Sequence, residues 1–88
     1  MFPAMPDLTI HVQFFARYAE VVERDHLTLT VPAGATVADA VRTLRGTIPG
    51  ADRLPETPMV ALNRAHVPHR QPLRDGDELA LLPPLAGG

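Results

Sequence analysis

Strict alternation of apolar and polar side chains near the start of the chain restricts its fold more than any other feature. Residues 8–15 carry Leu, Ile, Val and Phe at the even positions, and Thr, His and Gln at the odd ones until Phe15. A period of two is typical of a β-strand with one buried face. The chain therefore needs a sheet with a covered inner face, and Phe15 predicts an apolar contact on the opposite face.

Three further stretches predict strands. Residues 26–31 alternate leucine and valine with threonine, and residues 59–62 and 78–82 are short apolar runs, the last preceded by an Arg-Asp-Gly-Asp turn at 74–77. Between the first two strands, residues 16–24 are weakly helical or irregular. This connector is long enough for the second strand to turn back beside the first, and residues 32–34, Pro-Ala-Gly, end the second strand.

A fifth, smaller strand is predicted at the edge of the sheet. Asn63 and Arg64 turn the chain after the third strand into a short piece around 66–68. Pro68 and Pro72 exclude a central position for that piece, because proline cannot donate a ladder hydrogen bond.

One helix is predicted between the second and third strands. Thr36 is its N-cap, Asp39 supplies the acid of a capping box, and the helix runs to about Arg45, where Gly46 acts as a stop signal. Residues 47–57 then form a loop. One apolar stripe along the helix faces the sheet, formed by Val37, Val41, Leu44 and Ile48.

This order of elements predicts an α+β fold in which one helix covers one face of a sheet. The other face stays partly exposed, and Phe15 and Leu82 are the bulky apolar side chains expected there. An apolar patch on a small domain is typical of a protein-binding surface.

Composition excludes several classes of protein. The 88 residues suffice for one small domain, and 45% of them are apolar. The net charge of −2 and the scattered arginines give no basic surface for nucleic acid or a membrane. Without a signal peptide or a membrane-spanning run, we expect a cytoplasmic protein.

Side chains able to carry chemistry are few. The sequence contains no serine, cysteine or lysine, so the usual covalent nucleophiles are missing. His66 and His69 are three residues apart, but Pro68 lies between them and we interpret them as surface residues rather than metal ligands. Residues 75–78, Asp-Gly-Asp-Glu, are too few for a calcium loop and predict a turn.

The C-terminal tail is the remaining candidate. Pro83 and Pro84 follow the last strand, and Leu85 and an alanine lead to Gly87 and Gly88. A frayed end is one interpretation. The other is that the Gly88 carboxyl is activated by another enzyme, since no β-carbon crowds a glycine carbonyl or blocks entry to a narrow cleft.

The motifs at residues 14–16 (Phe-Phe-Ala), 60–63 (Val-Ala-Leu-Asn) and 73–88 resemble those of MoaD-type proteins, the small sulfur-carrier subunits of molybdopterin synthase. The resemblance spans residues 8–88. It implies a ubiquitin-like β-grasp fold with a mixed sheet and one principal covering helix. It also implies three parts: an N-terminal extension at 1–7, the domain at 8–82 and a flexible tail at 83–88.

The resemblance implies the chemistry as well. A MoeB-type enzyme would use ATP to adenylate Gly88, a sulfur donor system would convert it to a thiocarboxylate, and a MoaE-type large subunit would use the sulfur for the dithiolene of molybdopterin. Gly87 would give the tail access to those active sites. The chain would bind no cofactor or metal and would not be catalytic alone. The expected partner-binding residues are Phe15, Leu82, Pro83, Pro84 and Leu85.

Other interpretations stay open at this point. The chain could carry sulfur for thiamine synthesis or tRNA thiolation, or serve as a ubiquitin-like modifier. It could also be a β-grasp module that binds its partner without covalent chemistry.

Overall fold

The computed structural model of the chain describes residues 6–84, which form one mixed five-stranded sheet. The strands lie in the order β2-β1-β5-β3-β4, with β1 and β5 parallel and the other neighbours antiparallel. Their bounds are β1 Leu8–Phe14, β2 His26–Val31, β3 Met59–Leu62, β4 Ala65–His66 and β5 Glu78–Leu82.

The predicted strands are confirmed with two small shifts. The first strand ends at Phe14, so Phe15 is the first residue of the following turn. The edge piece is Ala65–His66 rather than 66–68. Asn63 and Arg64 form the predicted turn with positive φ values of 50° and 72°, and they reverse the chain between β3 and β4.

Two helices and one short 3₁₀ turn lie among the strands. Helix α1 is Arg17–Val22, helix α2 is Val37–Thr47, and the 3₁₀ turn is Ala51–Arg53 within the predicted loop. Helix α1 buries Tyr18 and Val22, which are four positions apart and so lie on one face. No helix in residues 6–84 is long and apolar enough to cross a membrane.

The predicted capping box at the start of α2 is confirmed. The Thr36 hydroxyl accepts a hydrogen bond from the Asp39 N–H at 3.3 Å, and the Asp39 carboxylate accepts one from the Thr36 N–H at 2.9 Å. That backbone hydrogen bond above all, then the Arg42 guanidinium at 2.9 Å and the Thr36 hydroxyl, hold the pKa of Asp39 below its ordinary value of 3.8.

The predicted stop at Gly46 is wrong, because α2 continues to Thr47. A glycine ends a helix by adopting a left-handed conformation, and Gly46 does not have a positive φ. The helix ends at Ile48, which is extended with φ −97° and ψ 125°. Pro49 follows it, and a residue before proline is disfavoured in the helical region.

The core lies between the sheet and α2. Most of the even residues of β1, the inward residues of β5 and most of the stripe along α2 are almost fully buried, and they include Ile10, Val12, Val37, Val41, Leu44, Leu79 and Leu81. Leu8 and Ile48, which were predicted to face inward as well, are partly buried and pack against this core. The structure thus confirms an α+β fold with a mixed sheet and one principal covering helix.

Candidate functional site

An open groove of about 690 Å³ lies on the uncovered side of the molecule, where β1 and β5 end. Its wall comes from the turn after β1, from β3, β4 and β5, and from the residues after β5, and consists of Phe15, Ala16, Arg17, Met59, His66, Leu82, Pro83 and Pro84. We call it the groove. All four of the expected partner-binding residues that the structure describes lie in it. Leu85, Gly87 and Gly88 lie outside the described residues.

Phe15 lies in the groove because the backbone turns sharply after β1. Phe14 is buried in the core with 3% of its surface exposed, whereas Phe15 is 45% exposed. Ala16 follows with φ 51° and ψ −130°, a combination that residues with a side chain seldom adopt. Its carbonyl accepts the Ala19 N–H at 3.0 Å, so the strained turn leads directly into α1.

Leu82 and Met59 form the floor of the groove as a cross-strand pair. The register pairs Met59 of β3 with Leu82 of β5, while the neighbouring pair Val60 and Leu81 points into the core. Met59 is 50% exposed. Met59 is not among the residues predicted for this site, although its position one residue before the apolar Val60 is a signal for the outer face.

Two cationic or titratable side chains border this apolar floor. Arg17 is the first residue of α1 and His66 belongs to β4, and both are exposed. No aspartate or glutamate contributes to the described wall. The sequence analysis treated His66 only as a surface residue, because nothing local to residue 66 indicates that β4 lies beside the groove.

The acidic turn before β5 is held by hydrogen bonds to the protein itself. Asp77, which is 9% exposed, accepts the Arg74 N–H at 2.7 Å and the Asn63 side-chain amide at 2.9 Å. Asp75 accepts the Thr9 N–H at 2.7 Å. These carboxylates fix the approach of the chain to β5, and the predicted turn at 75–76 is confirmed.

The remaining histidines form no metal site in the described part of the chain. His66 is exposed as predicted, but His69 is half-buried, so its interpretation as a surface residue is wrong. One ring nitrogen of His69, Nε2, lies 2.7 Å from the Pro58 carbonyl, and Nδ1 is buried without a partner. Within residues 6–84, no three His, Asp or Glu side chains converge to hold a metal ion.

Comparison with known proteins identifies relatives along nearly the whole chain. The profile of the ThiS family matches residues 12–88. The molybdopterin synthase sulfur carrier subunit of Chlamydomonas reinhardtii is 34% identical over 83 residues, which are 92% of this chain and 100% of that protein. The protein of the same name from Arabidopsis thaliana is 32% identical, over 90% of this chain and 82% of its own length.

Solved structures agree on the fold. The crystal structure of the small archaeal modifier protein SAMP1 from Haloferax volcanii has a TM-score of 0.80 and 31% identity, covering 91% of this chain and 99% of that one. A chain in the complex of subunits 1 and 2 of molybdopterin-converting factor from Helicobacter pylori has a TM-score of 0.64 over 92% of this chain and 100% of that one. The two chains are 24% identical.

The sheet order with its covering helix is therefore the ubiquitin-like β-grasp. Because the ThiS profile covers most of the chain and the curated relatives align over most of their length, the chain belongs to the ThiS family, among the MoaD-type sulfur carriers.

Proposed function

We propose that this chain is the sulfur carrier subunit of molybdopterin synthase and that the carboxyl of Gly88 carries the sulfur. The observation that supports this most is the match to curated sulfur carrier subunits, together with a family match that runs to residue 88. A carboxylate is a poor electrophile, so a MoeB-type partner first joins it to AMP from ATP and releases pyrophosphate. Sulfide supplied by the donor system then attacks the acyl carbon, the bond from that carbon to the phosphate oxygen breaks, and AMP leaves a thiocarboxylate behind.

The residues before Gly88 suit delivery into another protein's active site. Pro83 and Pro84 leave the sheet at the end of β5 and restrict the backbone because proline fixes φ. Six residues from Pro83 to Gly88 reach at most about 20 Å when extended. Gly87 has no side chain that would widen the tail next to the reacting carbonyl.

The chemistry that builds the dithiolene belongs to the large subunit in this proposal. The chain has no serine, cysteine or lysine, so its own side chains offer few covalent nucleophiles. The Helicobacter pylori assembly contains subunits 1 and 2 of molybdopterin-converting factor, which supports a partner of the subunit 2 type here. The groove beside the start of the tail is the surface proposed for that partner.

Intact-mass spectrometry tests the proposal. The chain is incubated with its MoeB-type enzyme, ATP and a sulfur source, and the mass should rise by the exchange of one oxygen for one sulfur. Omitting ATP and deleting Gly87 and Gly88 are the two controls, and both should abolish the shift. An unchanged mass with an adenylating enzyme that is active on another carrier would refute the proposal.

A ubiquitin-like modifier is the second candidate, and the likeness to the archaeal modifier SAMP1 favours it. A modifier would join its C-terminus to lysines of other proteins, which enrichment of a tagged chain and peptide mass spectrometry would detect. The chain has no lysine, so it cannot extend itself through lysine side chains. Conjugates without any thiocarboxylate would favour this candidate.

Two other functions are separated by genetic tests. A carrier for thiamine synthesis or tRNA thiolation would restore those pathways, and not molybdenum cofactor synthesis, in carrier-deficient cells. A non-covalent β-grasp module would still complement cofactor synthesis after deletion of Gly87 and Gly88.

A further inference from the structure

We infer that the groove binds a segment of the large synthase subunit in which an apolar side chain stands next to a carboxylate. This inference rests on the proposed function and adds the chemistry of the partner. An apolar groove alone could bind many apolar surfaces. The charged side chains at its border favour a partner segment that also carries a carboxylate.

The charge at the border is of one sign. Arg17 is cationic, and the described wall contains no acidic residue. The described ion pairs, Arg42 with Asp39 and Arg45 with Glu56, both involve α2 rather than the groove. Within residues 6–84, the side chains of Arg17 and His66 are therefore left available to a carboxylate from outside.

The two hollows that adjoin the groove each contain one acid, Asp25 and Glu78, and neither forms an ion pair with Arg17 in the described residues. Glu78 lines a neighbouring hollow with Arg64, and its carboxylate lies 3.5 Å from the Gln13 amide. Arg64 supplies a further positive charge on that side. The apolar strip between Phe15 and Leu82, which belong both to the groove and to the hollow that contains Glu78, thus has cationic side chains on each side of it.

The conformation of Ala16 points to the same surface independently. Within residues 6–84, the other positive φ values outside glycine are at Glu23, which is the left-handed C-cap of α1, and at Asn63 and Arg64 in the tight turn before β4, whereas Ala16, the N-cap of α1, has a ψ of −130° that is outside the left-handed region. Ala16 has φ 51° and ψ −130°, and strain of this kind is concentrated at functional sites. Its two neighbours in the chain are the aromatic and the cationic residue of the groove.

The positive border is local, because the chain as a whole has a net charge of −2. The long-range field repels an acidic partner, so a contact at Arg17 must act over a short distance. A short-range contact at Arg17 can therefore be distinguished by experiment from a long-range attraction by the charge of the whole chain. A charge reversal at Arg17 and one at a distant arginine change the net charge equally but should affect binding differently.

Arg17→Glu and Arg24→Glu are the matched variants. Arg24 is exposed beyond the end of α1 and does not line the groove. Two fluorescent probes of similar shape are titrated: anilinonaphthalene sulfonate, which is apolar and anionic, and N-phenyl-naphthylamine, which is apolar and neutral. Circular dichroism verifies that both variants are folded.

The expected result is selective. Arg17→Glu weakens the anionic probe about fivefold to tenfold, because reversal replaces an exposed attraction by repulsion. It leaves the neutral probe unchanged, and Arg24→Glu affects neither. Met59→Ala weakens both probes. Equal effects of Arg17→Glu on the two probes, or of the two arginine variants on the anionic probe, would overturn the inference.

Calorimetry with the large subunit separates this inference from the proposed function. Arg17→Glu should weaken binding about fivefold to tenfold and Arg24→Glu should not. If the thiocarboxylate forms and the large subunit binds both variants equally, the inference is wrong and the proposed function stands. If the large subunit does not bind the unmodified chain, the proposed partner is wrong. This holds even if Arg17→Glu weakens binding of the anionic probe alone, a result that would show only that the groove favours an apolar anion.

Discussion

Replacing Asp77 by alanine should destabilise the domain more than any other change in the acidic turn before β5. The carboxylate of Asp77 accepts the Arg74 N–H at 2.7 Å and the Asn63 side-chain amide at 2.9 Å. Asn63 in turn accepts the Glu78 N–H at 3.0 Å. One side chain therefore joins the turn between β3 and β4 to the start of β5, the strand that leads into the tail.

The expected magnitude follows from the two bonds and the burial. A hydrogen bond to a charged group contributes about 1.5 to 3 kcal/mol, and Asp77 is 9% exposed. Asn63 is exposed, so water replaces part of its bond. We expect Asp77→Ala to lower the free energy of unfolding by about 3 kcal/mol.

Asp75→Ala is the matched control, because it removes an acid from the same turn. Asp75 is exposed and accepts one described hydrogen bond, from the Thr9 N–H at 2.7 Å. Its loss should cost about 1 kcal/mol. Urea denaturation followed by circular dichroism measures both values. An Asp77→Ala variant no less stable than Asp75→Ala would refute the assigned role of the buried carboxylate.

Three other outcomes are expected. Phe15→Arg should leave thermal stability nearly unchanged, since Phe15 is 45% exposed, and should weaken binding to the large subunit; unchanged affinity in calorimetry would contradict the docking surface. Gly46→Ala should raise the melting temperature, because replacing a helical glycine by alanine increases the free energy of unfolding by about 0.5 to 1 kcal/mol. Gly50→Ala should lower the melting temperature, because the new Cβ would lie 2.8 Å from the Val21 carbonyl oxygen. Asp39→Ala should lower stability at neutral pH, and the loss should become smaller as the pH falls below about 4: the pKa of Asp39 is lowered on folding, so the carboxylate stabilises the fold above its ordinary pKa and loses this effect as the pH falls through its folded pKa. Thermal melts at neutral pH and along an acid series check this, and a difference from the unmodified chain that does not become smaller in acid would contradict it.

Local patterns account for the features that the sequence predicted well. The strands β2, β3 and β5 begin and end where predicted, because alternation and turn residues fix them within a few positions. The capping box at Thr36 and Asp39 is equally local, since its two hydrogen bonds join residues three apart.

Features decided by distant contacts are less visible in the sequence. Residues 16–24 are predicted as weakly helical or irregular, because the six residues of α1 are too few to form a stable helix alone. The helix α1 forms because Tyr18 and Val22 pack into the core. The unusual backbone at Ala16 has no sequence signal, since alanine does not favour a positive φ.

The parallel pairing of β1 with β5 explains why the groove lies beside Pro83, at the described start of the tail. The register pairs Phe14 with Leu81, so the next residues, Phe15 after β1 and Leu82 at the end of β5, lie at the same edge of the sheet. A partner that contacts Phe15 is then next to Pro83, which precedes the candidate carrier position Gly88 by five residues in the sequence. In an antiparallel pairing the two strands would end at opposite edges of the sheet. The order of strands, rather than either motif alone, thus allows one surface both to bind a partner and to present the tail to it.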